Sequence, residues 1–532
     1  MASTTTLGIC GASLSSLPLL VRIPAAVALL VGVVIGIHVL SQCLPRKNTS
    51  LPPVVFHWIP FIGNAVAFGI NPVNFLQECQ KKHGDVFTCI LLGKRITVCL
   101  GPDGHDFVFN GNVKNVSAAE AYKHLTTPVF GKDVVYDASV TTFMEQKKYD
   151  VPLICVYVEF VKAGLTTESF RLYVPMIVED VLKYCQRFPM TGGRLNLGEC
   201  MAEMIIITAS RCLMGKEVSA ALNEGETAVL YRHLEQGISP INFMIPNLPI
   251  EVNRKRDASQ VKLTALFAGI VKRRRESEDN LNQDVVQTLM EQTYKDGSPL
   301  PDHHIAHLMI ALLFGGQHTS ATTSTWAIIH LAQDQQLIKA LRQEQLEVLG
   351  SLFEPLTLDT LKDMPLLDNI VRESLRLHPP TFQVLRKILQ PVAFDKTGYV
   401  IPVGHHICAA PMVSHLDERY FKDALRFDPY RWMRGEDGSA ELESEVGADT
   451  TTDYGFGTVT TSARSAYLPF GAGRHRCIGE QFAYVQLKTI IAIFVRLFDF
   501  ELPQGTIFPE SDFTSMVVHA TDPCEIQFTW RK

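Results

Sequence analysis

The 532-residue chain lacks paired cysteines: its twelve cysteines include no CxxC motif and follow no regular spacing. This absence excludes a disulfide framework and argues against a cysteine-based zinc site. Most of these thiols are expected to be reduced core side chains of a domain that faces a cytosolic redox environment. One of them, Cys477, stands in a different sequence neighbourhood.

The chain also has little net charge and no internal linker. Its formal net charge is −6, and its main basic run, Lys272 to Arg275, is followed directly by Glu276, Glu278 and Asp279. No nucleic-acid partner is therefore expected. The composition, 46% hydrophobic and 20% charged, is that of a globular protein, and no Gly/Ser/Pro-rich stretch divides the chain after residue 60. These features predict one large domain over residues 61–532.

A long apolar run near the N-terminus, from Ile23 to Leu40, has about the length needed to cross a bilayer. Arg22 precedes it and Arg46 and Lys47 follow, which places the downstream side in the cytoplasm. The alternative is a cleaved signal peptide, but a charged n-region is missing and the run is longer than the apolar region of such peptides. Residues 1–45 are therefore predicted to be a retained membrane anchor.

A proline-rich stretch follows the anchor over residues 46–60. Proline fixes φ and donates no backbone hydrogen bond, so this stretch is predicted to be an extended, stiff hinge. Beyond it, helical patterns dominate from about residue 160 to 380, with short strand-like stretches at Arg95–Leu100 and Gly398–Ile401. The sequence therefore predicts a mainly α fold with a small β region.

The stretch from Phe470 to Gly479 reads FGAGRHRCIG. Three glycines around Cys477 allow the backbone to fold tightly and to approach a flat ligand, with the sulfur pointing at it. Backbone donors, Arg474 or Arg476, and a bound metal would stabilise the thiolate, and thiolate ligation of haem iron favours O–O cleavage. The alternative is a buried structural cysteine in a glycine-rich loop.

A second candidate site lies in His303–Ala332, which contains neither proline nor a formally charged residue. A helix of about 30 residues spans about 45 Å and, being apolar almost all round, is predicted to be central and buried. The sequence GGQHTS begins within it at Gly315, and paired glycines permit a kink and leave room for a small ligand. His318 is able to relay protons, the alternative being a satisfied core histidine. The i, i+4 spacing of His303 and His307 suits a metal pair, for which the sequence shows no third ligand.

The Cys477 loop resembles the haem-binding signature of the cytochromes P-450, with His475 standing where arginine is commonest. The resemblance implies a single-domain cytochrome P-450 fold with an N-terminal transmembrane helix, haem b as cofactor and Cys477 as the axial ligand of the haem iron. Phe470 and Gly471 belong to the same cofactor-binding loop. GGQHTS resembles the oxygen-activation segment of the family, which implies that Thr319 hydrogen-bonds the bound oxygen and that His318 takes the place of the usual acid.

Two further segments resemble the family pattern in the expected order, Glu373-Ser374-Leu375-Arg376 and Phe427-Asp428-Pro429-Tyr430-Arg431-Trp432. The acid and base of the first segment lie three apart, on one helical face, where they are able to pair. The resemblance implies that Glu373, Arg376 and Arg431 form a buried network that supports the haem site without acting in catalysis.

The segment Ala121–Asp137, AYKHLTTPVFGKDVVYD, resembles the substrate-recognition signature of the sterol 14α-demethylases, which also carry GGQHTS. Asp453–Gly457 and the preceding acidic insert Glu436–Asp449 look like the fungal form. The resemblance implies lanosterol or eburicol as substrate. It implies three successive NADPH- and dioxygen-dependent oxidations of one methyl carbon, ending in formate release and a 14,15 double bond. It also implies NADPH–cytochrome P-450 reductase as partner and the endoplasmic reticulum membrane as location, with a cytoplasmic catalytic domain.

Site residues carried over from this resemblance fall into two sets. The haem-propionate donors, neutral or cationic side chains suited to a carboxylate, would be His475 together with Tyr122, Tyr136, Lys147 and Arg386. The sterol cavity would be lined by Leu125, Thr126, Phe130, the Gly315 backbone and Met516. For each apolar member, ordinary core packing is the alternative.

Residues 149–159, YDVPLICVYVE, interrupt the family pattern directly after the segment that contains Lys147. Pro152 falls where a helix should continue, which costs about 3 kcal/mol, and the rest is an apolar, β-prone run. One hypothesis is translated non-coding sequence, and the other is a genuine loop that alters substrate entry. Two alternatives to a sterol 14α-demethylase also stay open: a monooxygenase acting at another sterol position, and a catalytically impaired haem or sterol binder.

Overall fold

In the computed structural model of the protein, the described residues are 19–44, 50–137, 161, 164–222, 226–277, 284–294, 297–434 and 462–531. Lys147, residues 149–159, the acidic insert 436–449 and residues 453–457 lie outside them. The Cys477 loop, the long apolar segment and the three residues of the expected buried network all lie within them.

Helices form most of the described chain. In the first half they are α1 (Leu19–Cys43), α2 (Ala65–Ile70), α3 (Pro72–His83), α4 (Gly101–Phe109), α5 (Ala118–Phe130), α6 (Thr167–Cys185), α7 (Leu197–Met214), α8 (Lys216–Leu222), α9 (Glu226–Gly237), α10 (Pro240–Met244) and α11 (Glu251–Glu276). They continue with α12 (Val285–Glu291), α13 (Asp302–Gln333), α14 (Gln335–Leu349), α15 (Leu358–Lys362), α16 (Pro365–Leu377), α17 (Pro411–His415) and α18 (Glu480–Leu497). Short 3₁₀ turns span Pro429–Trp432 and Gly473–His475.

Helix α13 is the central element of the domain. It packs against α5, α7, α11, α16 and α18, and most of its side chains are buried. The helix starts after Pro301 and ends at Asp334, whose side chain accepts hydrogen bonds from the first N–H groups of α14. The long apolar segment of the sequence is thus one continuous buried helix, which also runs unbroken through its two glycines.

The β structure is small. The strands are β1 (Val86–Leu91), β2 (Lys94–Cys99), β3 (Val116–Ser117), β4 (Gly193–Asn196), β5 (Val384–Ile388), β6 (Val392–Phe394), β7 (Tyr399–Ile401), β8 (His406–Ala409), β9 (Phe498–Glu501), β10 (Ser511–Asp512), β11 (His519–Ala520) and β12 (Glu525–Trp530). A five-stranded mixed sheet has the order β1-β2-β8-β5-β3, and a three-stranded antiparallel sheet has the order β4-β12-β9. Two-stranded ribbons pair β6 with β7 and β10 with β11.

The N-terminal helix α1 stands apart from the core. Its segment Ile23–Cys43 has a mean hydropathy of 2.5 and is not buried inside the protein, which makes it the one described helix that is long and apolar enough to cross a membrane. At its C-terminal end, Gln42 exchanges hydrogen bonds with the backbone of His57. These contacts connect the end of the candidate span to the domain.

Part of the stretch predicted to be a hinge belongs to the folded domain. Val55 N–H donates to Thr88 O over 2.8 Å, and Thr88 N–H donates to Pro53 O over 2.6 Å. Val55 is buried. The chain therefore pairs with the edge of β1 from about residue 53 onwards, so the domain starts earlier than the predicted residue 61. The extended conformation that the prolines favour is what allows this pairing.

Candidate active site

The loop around Cys477 is tightly folded by its glycines. Gly473 has φ +62°, and a Cβ there would lie 2.8 Å from the Phe109 carbonyl oxygen, so a larger residue does not fit. The N–H of Cys477 donates to the Phe470 carbonyl over 2.9 Å. These constraints hold the cysteine at the entrance of α18, the helix that packs against α13.

Cys477 lies within the folded domain, and its thiol faces open space. Its side chain is exposed, yet burial raises the pKa of the thiol to about 11, with smaller opposing contributions from the Gly479 N–H and Arg476. Arg476 itself is paired with Glu480 over 2.7 Å, so the expected stabilisation of a thiolate by this arginine is largely offset. A metal bound at this position would lower the pKa of the thiol and stabilise the thiolate. Haem iron is a metal of this kind.

An opening also interrupts the buried surface of α13. Gly315 is exposed, although the helix around it is buried, and an added Cβ at Gly315 or Gly316 would meet no atom within 4 Å. Thr319 is half-buried beside this opening, and its hydroxyl donates to the Gly315 carbonyl over 2.7 Å. The glycines therefore leave space next to a hydroxyl group, and they do so without breaking the helix.

A cluster of polar side chains lies beside the Cys477 loop. The rings of Tyr122 and Tyr136 are stacked with centroids 5.4 Å apart, and the ring of Tyr136 is 6.4 Å from that of His475. Burial, together with the smaller effects of the positive charges of Arg386 and Arg474, lowers the pKa of His475 to about 3. The structure thus brings together four of the five expected propionate donors, and the fifth, Lys147, lies outside the described residues.

The charge of this cluster suits an anionic ligand. Arg386 is 4% exposed and donates to the carbonyl of its neighbour Leu385 over 2.8 Å. Among the described residues it makes no ion pair with a carboxylate. A buried guanidinium without a counter-ion is costly, and a ligand carboxylate would remove that cost. A haem group, with a flat apolar ring and two propionates, therefore fits the space and the charge that these residues provide.

Behind α13, His318, Glu235 and His519 form a chain of polar contacts, and no sequence motif had indicated Glu235. Nδ1 of His318 lies 3.3 Å from the Glu235 carboxylate, and the other oxygen of Glu235 accepts a hydrogen bond from His519 over 2.9 Å. Burial lowers the pKa of His318, whereas Glu235 counteracts this shift. Nε2 of His318 is buried, and within the described part of the chain it has no hydrogen-bond partner. Glu235 therefore orients the His318 ring at Nδ1, and Nε2 is available for a further hydrogen bond.

Glu373, Arg376 and Arg431 meet in the interior and are each at most 1% exposed. Glu373 Oε1 accepts from Arg376 over 2.8 Å and from Arg431 over 3.0 Å. Oε2 accepts from Nε of Arg376 over 3.0 Å and from Trp432 over 3.1 Å. The remaining guanidinium donors of the two arginines bond to backbone carbonyls in residues 415–426. The charges of all three side chains are therefore paired, and both guanidinium groups use their N–H donors in hydrogen bonds.

His415 connects this network to the Cys477 loop. Its Nε2 accepts from the Leu468 N–H over 3.0 Å, which leaves Nδ1 to donate to the Arg376 carbonyl over 3.1 Å. His415 and Glu235 had no signal in the sequence, because neither lies in a local motif and their roles depend on contacts between distant segments.

The residues expected to line the sterol cavity are spread over different environments. The ring of Phe130 packs edge-on against Phe314 with centroids 5.5 Å apart, next to Gly315. Met516 is half-buried in the C-terminal segment. Thr126 is 8% exposed and its hydroxyl donates to the Tyr122 carbonyl over 3.1 Å. Leu125 is 2% exposed in a core cluster, so the structure gives its side chain a packing role.

The comparison with known proteins gives the family. The family model of cytochrome P450 matches residues 52–528. The chain belongs to the cytochrome P450 family. It is a haem-thiolate monooxygenase by this membership, and haem b is the cofactor of the family.

Curated relatives are similar over nearly the whole chain. Lanosterol 14-alpha demethylase of Cunninghamella elegans is 53% identical over 95% of this chain and 96% of its own length. The protein of the same name from Mycosarcoma maydis is 45% identical over 93% of this chain and 91% of its own length. The solved structure of retinoic acid bound cyanobacterial CYP120A1 has a TM-score of 0.73 and 21% identity, covering 91% of this chain and all of that one, which shows the P450 fold. The chain therefore belongs to the sterol 14α-demethylase branch.

Proposed function

We propose that this P450 removes the 14α-methyl group of lanosterol or eburicol by three successive monooxygenations, with release of formate. The observation that carries the proposal is the position of the signature segment 121–137. Tyr136 contacts His475 of the Cys477 loop, and Phe130 contacts Phe314 of α13. The segment typical of sterol 14α-demethylases thus borders both the Cys477 loop and the part of the central helix that contains the opening.

The haem-binding roles follow from the same arrangement. Cys477 would bind the haem iron, the Phe470–Gly471 turn would border the haem, and Tyr122, Tyr136, Arg386 and His475 would hold its propionates. Lys147 is proposed to join them from outside the described residues. Haem, when bound, supplies the iron on which dioxygen is activated. Glu373, Arg376 and Arg431 are proposed as supports, since His415 connects their network to the loop.

His318 and Thr319 are the proposed catalytic residues. Thr319 has a hydroxyl beside the opening at Gly315, suited to hydrogen-bonding oxygen there. His318 is proposed to pass protons towards this opening from Glu235, which holds one side of its ring. Leu125, Thr126, Phe130, Gly315 and Met516 are proposed to form or support the wall of the sterol cavity.

The chain is proposed to be a single-pass protein of the endoplasmic reticulum membrane. Residues 1–45 would form the anchor and the catalytic domain would face the cytoplasm, where NADPH–cytochrome P450 reductase supplies electrons. The apolar, unburied helix α1 supports the anchor, and the arginine and lysine that follow it support the orientation.

The test is reconstitution of the full-length chain in membranes with NADPH–cytochrome P450 reductase and lanosterol. We expect a 14-demethylated diene and formate, detected by mass spectrometry, and strong loss of both in Thr319→Ala. Oxidation at another carbon with the 14α-methyl group retained would contradict the proposal. A substrate-induced spin shift without turnover would instead indicate an impaired sterol binder.

We also propose that residues 149–159 are translated non-coding sequence. The proposal rests on Pro152 and on the apolar character of the run. Sequencing of the transcript tests it, with messages that lack the codons for these residues as the expected result. If every message retains them, the segment is genuine, and the role proposed for Lys147 is overturned or needs independent proof.

A further inference from the structure

Three side chains outside the haem site form a compact cluster with metal-ligand chemistry. One ligand atom each from Asp133, His303 and His304 lies within 4.8 Å of the other two. Asp133 follows α5, and the two histidines belong to the first turn of α13. The rings of His303 and His304 lie 4.3 Å apart. The fold thus brings the carboxylate of Asp133 close to two imidazoles that lie far from it in the sequence.

We propose that Asp133, His303 and His304 bind one divalent cation of the zinc class. Two imidazole nitrogens and one carboxylate oxygen suit zinc, with water in the fourth position. Ligand atoms of a tetrahedral zinc site are about 3.4 Å apart, so small side-chain rotations would close the cluster around the ion. His303 is exposed, which gives a hydrated ion access to the site.

The ligands are held by neighbouring groups. The Tyr294 hydroxyl and Nδ1 of His304 are hydrogen-bonded over 2.9 Å, and a hydrogen bond at one ring nitrogen is how metal-binding imidazoles are commonly oriented. The N–H of Asp133 donates to Asp137 over 3.0 Å, and Asp137 is paired with Lys123 over 2.9 Å. Because these contacts already restrict the ligand side chains, less conformational entropy would be lost when an ion binds.

His307 has a different role from the one its spacing suggested. Its Nδ1 lies 3.0 Å from the Lys132 carbonyl in a hydrogen bond, and its ring packs so closely on Gly131 that an added Cβ there would come within 2.5 Å. The i, i+4 pair of His303 and His307 is therefore replaced as the candidate ligand set by His303, His304 and Asp133. His307 positions the backbone next to the site.

A bound ion would cross-link the segment after α5 to the start of the central helix. That segment carries Tyr136, which packs on Tyr122 beside the Cys477 loop. The positive end of the α13 dipole opposes a cation here, and the Asp133 carboxylate offsets this effect. The ion would stiffen this connection.

The experiment uses the full-length, haem-loaded protein after treatment with a chelator and desalting. Zinc is titrated in competition with a fluorescent indicator. We expect one equivalent to bind in the wild type, at least tenfold weaker binding in Asp133→Asn, His303→Asn and His304→Gln, and binding within twofold of wild type in the control His307→Gln. Zinc is also expected to raise the Tm of the wild type and of the control, but not of the ligand variants.

Two results would overturn the proposal: unchanged zinc affinity in Asp133→Asn together with His303→Asn, or an equal loss in His307→Gln. The reduced carbon monoxide spectrum checks that each variant retains its haem site, and the exposed His303 provides a variant that should fold if His304→Gln does not. X-ray absorption at the zinc edge should show nitrogen and oxygen ligands. A sulfur shell would place the ion on the cysteines and would also overturn the proposal.

Discussion

The Glu235 carboxylate lies 3.3 Å from Nδ1 of His318 in the central helix. This contact supports a role for Glu235 in orienting the His318 ring and in supplying it with protons. Because the second Glu235 oxygen is held by His519, the carboxylate has a fixed position behind the opening at Gly315.

Glu235→Gln should therefore slow turnover while leaving sterol binding intact. We expect turnover to fall by about 100-fold, the lower end of what loss of a proton-transfer group costs, and the solvent isotope effect on turnover to rise. Sterol titration and steady-state assays measure both. Glu203→Gln is the matched control, since Glu203 accepts a hydrogen bond from Tyr184 at an exposed position elsewhere in the domain. Wild-type turnover and isotope effect in Glu235→Gln would contradict the relay.

The buried network should be sensitive to loss of a single charge. Arg376→Ala leaves Glu373 buried with one partner fewer, which costs about 3–5 kcal/mol, so we expect a lower Tm and a smaller fraction of haem-loaded protein. Arg171→Ala is the control, because its ion pair with Asp359 is exposed and should contribute less than about 1 kcal/mol. Equal behaviour of the two variants would remove the supporting role of the network.

Arg386 should control how firmly haem is held. A charge-assisted hydrogen bond is worth about 1.5–3 kcal/mol, so Arg386→Ala should speed haem transfer to an acceptor apoprotein by about 10- to 100-fold. The next residue in the same strand supplies the control: Lys387 is paired with Glu120 at the surface, and Lys387→Ala should release haem at the wild-type rate. No difference between the two variants would show that Arg386 does not hold the propionates.

A buried histidine pair makes stability depend on pH. Burial lowers the pKa of His330 to about 3, and its Nε2 lies 3.0 Å from that of His378. Unfolded His330 takes up a proton near pH 6.5 and the folded form does not, so stability is lost as pH falls below 6.5. Between pH 7.5 and 5 this costs about 2 kcal/mol per histidine.

His330→Gln should remove this share of the pH dependence. We expect the Tm of the variant to fall less than that of the wild type between pH 7.5 and 5, whatever its Tm at pH 7.5, as measured by scanning calorimetry. A fall of the same size in both proteins would show that His330 does not contribute.

Local patterns in the sequence predicted the elements that depend on local chemistry. The absence of proline and charge predicted a helix over 303–332, and the structure has it at Asp302–Gln333. The strand predicted at Gly398–Ile401 is present as Tyr399–Ile401. The tight turn predicted for the Cys477 loop is present, and the positive φ values of Gly471 and Gly473 favour glycine there.

Features that depend on contacts between distant segments could not be predicted from the sequence. Glu235 lies in an ordinary amphipathic helix, and only the fold places it against His318. The same holds for Asp133, which meets His303 and His304 across the domain. The end of the hinge was also misplaced, because the pairing of Val55 with Thr88 depends on a strand some thirty residues further along the chain.

The most direct test of the account is the reduced carbon monoxide difference spectrum of the membrane fraction, recorded for the full-length chain, for a form without residues 149–159, and for Cys477→Ser. We predict a thiolate-type Soret band in at least one of the first two forms, with a spin shift on sterol addition, and no such band in Cys477→Ser. A band in the shortened form alone would support the proposal that residues 149–159 are not part of the natural protein. Absence of the band from both forms that retain Cys477 would contradict the assignment of a haem-thiolate site.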